Sequence, residues 1–215
     1  FTLEYLEEQI LTLVRQQGIQ DAARVRLTVF RNEGGYYTPT DNKVSFVIQA
    51  SALTVKPYTA GETPFEVDLY KDFIVPKQLL STLKTNNKLI QITASIFAQE
   101  NGLDTCLLIN EDKNVIEAAN GNLFMFLNGQ LITPPTSEGC LNGIMRKQIL
   151  KLAKELDGIA VIEQPISPFD LQKADELFIT NVIVGIQSIT KYRKKEFEKT
   201  LAKKLLEKLN QAIQA

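Results

Sequence analysis

Histidine and tryptophan are absent from this 215-residue sequence, and cysteine occurs only twice. Without histidine, the sequence excludes serine-hydrolase triads of the usual sort, histidine-based acid–base catalysis and most transition-metal sites. Any proton transfer near neutral pH must therefore use lysine, glutamate, aspartate, tyrosine or cysteine, or the chemistry of a cofactor. The spacing of Cys106 and Cys140 does not suggest zinc, and Cys106 lies in an apolar segment where a buried, reduced thiol is expected.

The sequence also lacks an excess of either charge and any long apolar run. Its formal net charge of -1 provides no basic field for binding nucleic acid or an anionic membrane. No apolar run approaches the length of a membrane span and no signal peptide is visible, so we predict a cytoplasmic protein with no membrane partner. The hydrophobic fraction of 44% is ordinary for a globular protein, and the length allows one large domain or two small ones.

The first 80 residues are predicted to form a small α+β domain. Thr2 is a suitable N-cap for an amphipathic helix over residues 3–17, and Gly18 should end that helix. Alternating apolar residues and turn signals predict strands over residues 24–31, 43–48, 53–55 and 66–70.

Residues 81–215 are predicted to form a larger α/β domain. Helical spacing of apolar residues predicts helices over residues 86–99, 144–156 and 194–213. Short apolar segments predict strands over residues 105–109, 115–117, 122–126, 130–133, 159–162, 175–180 and 183–189. The architecture is thus two domains that meet near residue 80, with the chemistry expected at their junction.

A glycine-rich segment at residues 137–146, with the sequence SEGCLNGIMR, leads from an apolar strand into an amphipathic helix. Glycine lets the backbone approach a ligand closely, and the first helical turn leaves its N–H groups unpaired. Together with the positive end of the helix dipole, these donors predict a phosphate site, although ordinary loop-to-helix turns are the commoner cause of such a motif. Lys84 and Glu117 precede this segment and add an amine and a carboxylate.

An amine, a carboxylate and a phosphate-binding loop in this order resemble the pyridoxal-phosphate enzymes of fold type IV. This group includes the branched-chain aminotransferases, the D-amino acid aminotransferases and the aminodeoxychorismate lyases. Four motifs between about residues 27 and 189 occur in the family's order and spacing, namely LKTNNKL, EAANGNLF, NGIMR and FITNV.

The resemblance implies an α+β, two-domain fold similar to that of D-amino acid aminotransferase, with pyridoxal 5'-phosphate as cofactor and a small-molecule substrate. It also implies a homodimer whose active sites take residues from both subunits. Family members carry roughly sixty residues before the first helix, including an arginine for the cofactor phosphate. Because the sequence starts at Phe1, we expect the N-terminal part of the small domain to be absent.

The resemblance also assigns roles to individual residues. Lys84 matches the lysine that attaches the cofactor and moves protons at the substrate, and Glu117 matches the carboxylate that pairs with the pyridine nitrogen. Asn122 matches a residue near the same ring edge, although a turn-supporting role explains it almost as well. The expected phosphate contacts come from Gly143, Ile144, Met145 and Asn181.

Two arginines of the small domain are candidates for binding a substrate carboxylate. The family places this sheet beside the substrate, so Arg26 or Arg31 is expected there, while a solvated strand face is the simpler explanation of both. We leave out Arg146, because an exposed position on its helix would explain it.

The choice of reaction depends on three positions. Leu89, five residues after the lysine, stands where branched-chain aminotransferases usually have a tyrosine. Asn181-Val182 replaces their Gly-Thr, and Met145 replaces the threonine of their Gly-Ile-Thr. D-amino acid aminotransferases share the leucine but favour hydroxyl residues at the strand end, and residues 118–121, AANG, match neither branch closely.

These features resemble aminodeoxychorismate lyase most closely. They predict an enzyme that converts 4-amino-4-deoxychorismate to 4-aminobenzoate and pyruvate in folate synthesis. Two alternatives stay open. One is a class IV aminotransferase acting on branched-chain or D-amino acids, and the other is an inactive relative that keeps the fold.

Overall fold

The computed structural model describes residues 1–53 and 57–214, and the chain divides into two compact units, Phe1–Pro57 and Tyr58–Ala215. The predicted division near residue 80 falls inside the second unit, because the strand at Glu66–Tyr70 pairs with a strand of that unit's sheet. Of the strand predicted over residues 53–55, Leu53 ends a longer strand, and residues 54 and 55 lie outside the described residues.

The first unit is one helix and one antiparallel strand pair. Helix α1 (Leu3–Gln16) starts as predicted, with the Thr2 hydroxyl accepting a hydrogen bond of 3.2 Å from the Tyr5 N–H. It ends before Gly18, whose φ of +67° is a conformation that glycine adopts without steric cost. Strands β1 (Ala22–Arg31) and β2 (Val44–Leu53) pair along their whole length, which confirms the two predicted strands.

The second unit contains one ten-stranded sheet. Its strands are β3 (Glu66–Tyr70), β4 (Thr105–Ile109), β5 (Val115–Ala118), β6 (Gly121–Leu127), β7 (Gln130–Thr133), β8 (Ala160–Glu163), β9 (Glu176–Asn181), β10 (Gly185–Ile189), β11 (Lys191–Tyr192) and β12 (Lys195–Glu196). The strand order is β10-β9-β6-β5-β4-β3-β11-β12, and β7 pairs with both β6 and β8. The Asn128-Gly129 turn joins β6 to β7 with φ values of +50° and +77°, as the sequence predicts.

The helices of this unit are α2 (Leu89–Glu100), α3 (Ile144–Ala153), α4 (Pro168–Leu171) and α5 (Thr200–Gln214). The helix predicted from residue 86 begins only at Leu89, because the preceding Asn-Asn pair is a poor helix former. The helix predicted from residue 194 begins at Thr200, because residues 191–196 form the β11–β12 hairpin around Arg193 with a φ of +57°. Within the described residues, no helix is long and apolar enough to cross a membrane.

Successive residues of β6 pack into different parts of the core. Phe124 stacks on Phe178 at a centroid distance of 5.1 Å and belongs to the cluster that α3 and α5 cover. Leu123 and Met125 belong to the cluster on the other side, with Leu107 and Leu177. This alternation is the period of two expected for a strand buried on both faces.

Candidate active site

Three polar side chains lie in one cross-strand row at the centre of the large sheet. Glu117 of β5 pairs with Asn122 of β6, and Asn122 pairs with Thr180 of β9. All three are buried. Partners in such a row point to the same face, so this face carries polar groups where the sheet is otherwise apolar.

A β-bulge lies at the start of this row. The pairing of β4 with β5 shifts register between Leu108 and Ile109, so Ile116 and Glu117 together oppose one residue of β4. Such an insertion redirects the side chains next to it.

The loop before α3 is fastened to the row through the backbone of Leu141. The Glu117 carboxylate accepts a hydrogen bond of 2.9 Å from the Leu141 N–H, and the Asn122 side-chain amide donates one of 2.7 Å to the Leu141 carbonyl. Asn122 therefore supports the loop before α3 through its own hydrogen bond, whereas a role at the edge of a cofactor ring stays a prediction.

Gly143 is required by this packing. A Cβ atom at position 143 would lie 2.1 Å from the Asn122 Oδ1 atom, far inside van der Waals contact. Gly143 is also the N-cap of α3, and within the part of the chain that the structure describes no side-chain hydrogen bond caps that helix. The backbone N–H groups of Ile144 and Met145 thus begin an uncapped helix directly beside the polar row, as an anion-binding helix start requires.

Glu117 is a buried acid whose surroundings act on its pKa in opposite directions. Burial raises the pKa of its carboxyl group to about 7. The hydrogen bond from Leu141, the charges of Lys88 and Lys84 and the Gln91 side chain lower the pKa. The carboxyl group can therefore change its charge near neutral pH, which is typical of functional sites.

Lys84 lies in the connection between a 3-10 turn (Leu79–Thr82) and α2. Its side chain is exposed, and its charge acts on Glu117. The Asn142 N–H donates a hydrogen bond of 3.0 Å to the Thr82 carbonyl, so the segment before Lys84 is tied to the same loop as Glu117. The structure thereby brings together the predicted amine, carboxylate and helix start.

Asn181 stands at the end of β9, where its side chain supports the following turn. Its amide donates a hydrogen bond of 3.0 Å to the Asn120 carbonyl and accepts from the N–H groups of Ile183 and Val184. The hydroxyl of neighbouring Thr180 is buried and has no hydrogen-bond partner among the described residues. A phosphate contact from Asn181 stays a prediction, and Thr180 is a nearby group that the sequence did not single out.

Arg146 is buried rather than exposed, which corrects the explanation that led us to leave it out. Its guanidinium group donates to the Pro134 carbonyl and pairs with Glu163, which joins α3 to the loop and to β8. Sequence gave no sign of this role, because a helical arginine is usually solvated.

A second buried acid, Glu138, anchors an earlier part of the same loop. Its carboxylate accepts hydrogen bonds of 2.8 and 2.9 Å from Asn110 and Asn114 and pairs with Lys77 at 2.8 Å. Burial favours a higher pKa for Glu138, but these partners outweigh it and lower the pKa. Glu138 is therefore a charged structural anchor of the loop.

Arg26 and Arg31 belong to the first unit. Both are exposed, and the Arg31 guanidinium donates a hydrogen bond of 3.0 Å to the Gly34 carbonyl. A substrate-binding role for either residue stays a prediction.

Comparison with known proteins identifies the family. Residues 1–192 match the model of the amino-transferase class IV family, and the chain belongs to this family. A Methanocaldococcus jannaschii protein assigned by name to the branched-chain-amino-acid aminotransferases is 33% identical over 186 residues, covering 86% of this chain and 64% of that protein. The Escherichia coli branched-chain-amino-acid aminotransferase is 36% identical over 103 residues, 48% of this chain and 33% of that protein. The chain therefore spans less than two thirds of the length of these relatives.

Solved structures share the fold. A branched-chain aminotransferase from Thermoproteus uzoniensis with norvaline superposes with a TM-score of 0.85 at 22% identity, over 97% of this chain and 70% of that one. A Legionella pneumophila structure assigned as 4-amino-4-deoxychorismate lyase superposes with a TM-score of 0.75 at 23% identity, over 98% of this chain and 85% of that one. The holo form of a Thermobaculum terrenum branched-chain aminotransferase, described as the PLP form, has a TM-score of 0.84 at 20% identity, over 99% of this chain and 71% of that one. The predicted family and fold type are confirmed.

Proposed function

We propose that this chain forms the cofactor-binding part of a pyridoxal-phosphate enzyme, in which Lys84 attaches the cofactor and Glu117 pairs with its ring nitrogen. The observation that carries this proposal is the buried Glu117 carboxyl group. It accepts a hydrogen bond from the loop before α3, and the charge of Lys84 lowers its pKa. Neither packing nor solubility requires a buried acid beside an exposed lysine.

The residues present fit such a group. Lys84 is an accessible amine, and Glu117 offers a negative charge within a polar row. The uncapped helix start at Ile144 and Met145 would hold a phosphate, with Gly143 allowing the close approach and Asn181 at the strand end. When bound, pyridoxal phosphate supplies an electron sink for a carbanion on the substrate.

The chain's own residues would then have distinct tasks. The Lys84 amine would move protons at the substrate carbons, because it is an accessible amine within the site. The Glu117 carboxylate would hold a proton on the ring nitrogen facing it. Asn122 and Arg146 would keep the loop in place, since both bind backbone carbonyls of residues 134–141.

For the reaction, we infer a lyase that releases 4-aminobenzoate and pyruvate from 4-amino-4-deoxychorismate. This inference is supported by the missing hydroxyl groups at Leu89, Met145 and Val182. Leu89 stands at the first turn of α2, and its side chain has no donor or acceptor with which to bind a cofactor as a tyrosine hydroxyl could.

A class IV aminotransferase is the second candidate. It is supported by the names of the relatives, several of which are branched-chain-amino-acid aminotransferases. An inactive relative is a third possibility, against which the proximity of Lys84 and Glu117 argues.

One experiment separates these functions. The protein supplied with pyridoxal phosphate is incubated with aminodeoxychorismate, and separately with branched-chain or D-amino acids and a keto acid. Formation of 4-aminobenzoate and pyruvate supports the lyase, and a new amino acid supports the aminotransferase. Lys84→Ala should abolish either activity while the fold persists, and activity in this variant would contradict the role of Lys84.

We also infer that the chain pairs with a second copy. Leu89, Ile92 and Ile96 are 67%, 55% and 49% exposed, and their spacing places them on one face of α2. Three large apolar side chains on one helical face favour a buried contact, and two-fold assembly is the commonest oligomer.

A further inference from the structure

Tyr58, the first residue of the second unit, hydrogen-bonds with two elements that are far from it in sequence. Its phenol hydroxyl donates a hydrogen bond of 2.8 Å to the Val182 carbonyl, in the turn between β9 and β10 (residues 182–184). Its backbone N–H donates to the Asn210 side-chain oxygen of α5, and its carbonyl accepts from the Asn210 amide nitrogen, each at 2.8 Å. Tyr58 therefore joins α5 to the β9–β10 turn.

The ring of Tyr58 packs on the backbone at the end of the same turn. A Cβ atom at Gly185, the first residue of β10, would lie 2.7 Å from the Tyr58 Cγ atom and 2.9 Å from its Cδ2 atom. Gly185 also has a φ of +69°, a conformation that glycine adopts without steric cost. Glycine at this position thus allows both the bend of the chain and the contact with the ring.

The sequence of the β9–β10 turn does not favour a turn by itself. Its three residues, Val182, Ile183 and Val184, are β-branched, whereas glycine, proline, asparagine, aspartate and serine dominate turns. All three side chains are exposed, so packing in the core does not fix them.

Side-chain hydrogen bonds hold this turn instead. The Asn181 side-chain oxygen accepts hydrogen bonds of 2.9 and 3.1 Å from the N–H groups of Ile183 and Val184. Among the described residues, the other side-chain hydrogen bond to the turn is the one that Tyr58 donates to Val182. The conformation of the turn therefore depends on the Tyr58 hydroxyl.

We propose that Tyr58 is a positioning residue, whose hydroxyl holds the β9–β10 turn so that Asn181 is in place for a phosphate group, an inference that rests on the proposed function. The turn directly follows Asn181 and the buried Thr180, which belongs to the polar row. A shift of the turn would move the Asn181 side chain, because that side chain binds two N–H groups of the turn. Tyr58 acts through the turn and does not itself touch the cofactor.

Tyr58→Phe tests the hydroxyl alone, because phenylalanine keeps the ring on Gly185 and the backbone hydrogen bonds to Asn210. In the cofactor-free chain, amide exchange at Ile183 and Val184, measured by NMR, should accelerate about fivefold, the equivalent of one lost hydrogen bond. The dissociation constants for pyridoxal phosphate and for inorganic phosphate should rise by about the same factor. The kcat at saturating cofactor should stay unchanged, whereas a purely structural hydroxyl would leave the phosphate affinity of the folded protein unchanged.

Tyr37→Phe is the matched control, because Tyr37 is a fully exposed tyrosine of the first unit. Equal exchange rates at Ile183 and Val184 in the two variants would overturn the inference. Faster exchange in Tyr58→Phe with an unchanged affinity for inorganic phosphate would also overturn it, because the turn would then not position the site.

Attachment of the cofactor separates this inference from the proposed function. A protein whose affinity for inorganic phosphate falls in Tyr58→Phe, but which does not attach pyridoxal phosphate at Lys84, keeps the role of Tyr58 at an anion site and rejects the function. A protein that attaches the cofactor at Lys84 with equal affinity in Tyr58→Phe and Tyr37→Phe rejects the role of Tyr58 and keeps the function.

Discussion

Glu117 is the residue on which stability and function make opposite demands. Its carboxyl group is buried, which disfavours the charged form, yet the proposed pairing with a ring nitrogen needs that form. The protein offsets part of this cost with the Leu141 N–H and two lysine charges. A residue retained at such a cost is more consistent with a chemical role than with a packing role.

Glu117→Gln should therefore stabilise the cofactor-free fold above neutral pH. The pKa of Glu117 is about 7 in the folded chain and 4.5 in the reference state, so folding favours its protonated form. The stability of the unchanged protein should then decline as pH rises between these values, by an amount on the order of 3 kcal/mol. Glutamine cannot ionise and should escape this loss.

Denaturant unfolding at acidic and alkaline pH measures this difference. The two proteins should agree below about pH 4.5, where Glu117 is protonated in both states, and should diverge above pH 7. The same variant should bind cofactor and lose most of its turnover. A pH-independent difference in the free energy of unfolding would show that Glu117 does not ionise in the folded chain.

Gly143→Ala should disrupt the contact between Asn122 and the loop. The added Cβ would lie 2.1 Å from Asn122 Oδ1, so either side chain or loop must shift, at a cost of about 1–3 kcal/mol. The affinity of the protein for pyridoxal phosphate and for free phosphate should fall, because the loop leads into the helix start that would bind the phosphate. Gly61→Ala is the matched control, because its Cβ would meet only the end of the Gln187 side chain, at 3.2 Å. Equal cofactor affinities in the two variants would argue against a phosphate site at the start of α3.

At the scale of elements, buried polar groups fasten the loop before α3 at two places. Glu117 and Asn122 bind Leu141, and Glu138 joins the loop to Asn110 and Lys77. Charge-assisted hydrogen bonds in a buried setting are stronger than neutral ones. The helix start is thus held in place before any ligand arrives.

Glu138→Gln should loosen this loop. The change removes the negative charge that Lys77 pairs with, and the free energy of local opening should fall by about 1–3 kcal/mol. Hydrogen exchange at the Leu141 and Asn142 amides, which are hydrogen-bonded in the fold, would report the change. Asp112→Asn, which alters the exposed partner of Lys77, is the control and should have a smaller effect. Equal exchange rates in both variants would contradict the anchoring role of Glu138.

Sequence predicted the elements well where local pattern and tertiary packing agree. The strands at Glu66–Tyr70, Thr105–Ile109 and Gln130–Thr133 have the predicted bounds, since each is an apolar segment between turn residues. The predicted start of the last helix was wrong, because the β11–β12 hairpin depends on pairing between β11 and distant β3. Such a contact leaves no local signal.

The candidate site was predictable only in part. Lys84, Glu117 and the helix start could be found because their order in the chain resembles a family. The roles of Arg146 and Glu138 were not found, because they depend on burial and on partners far away in sequence. A lysine, an arginine or a glutamate is solvated by default, and only the fold shows which ones are not.

At the scale of the whole molecule, the exposed face of α2 should mediate pairing with a second copy. Ile96→Lys places a charge on this face and should shift the protein from dimer to monomer in light scattering. Phe169→Lys is the control, because Phe169 is 74% exposed on α4 and should leave the dimer intact. A dimer that survives Ile96→Lys, or a chain that is monomeric throughout, would contradict this assembly.

Reductive trapping of the cofactor tests the central proposal most directly. The protein is incubated with pyridoxal phosphate, reduced with borohydride, digested and mapped by mass spectrometry. Lys84 should carry the label, since it is an exposed amine whose charge acts on the Glu117 carboxyl group. Lys88 lies four residues away and serves as an internal control. A label on Lys88 or on any other lysine, with Lys84 unmodified, would contradict the proposed site.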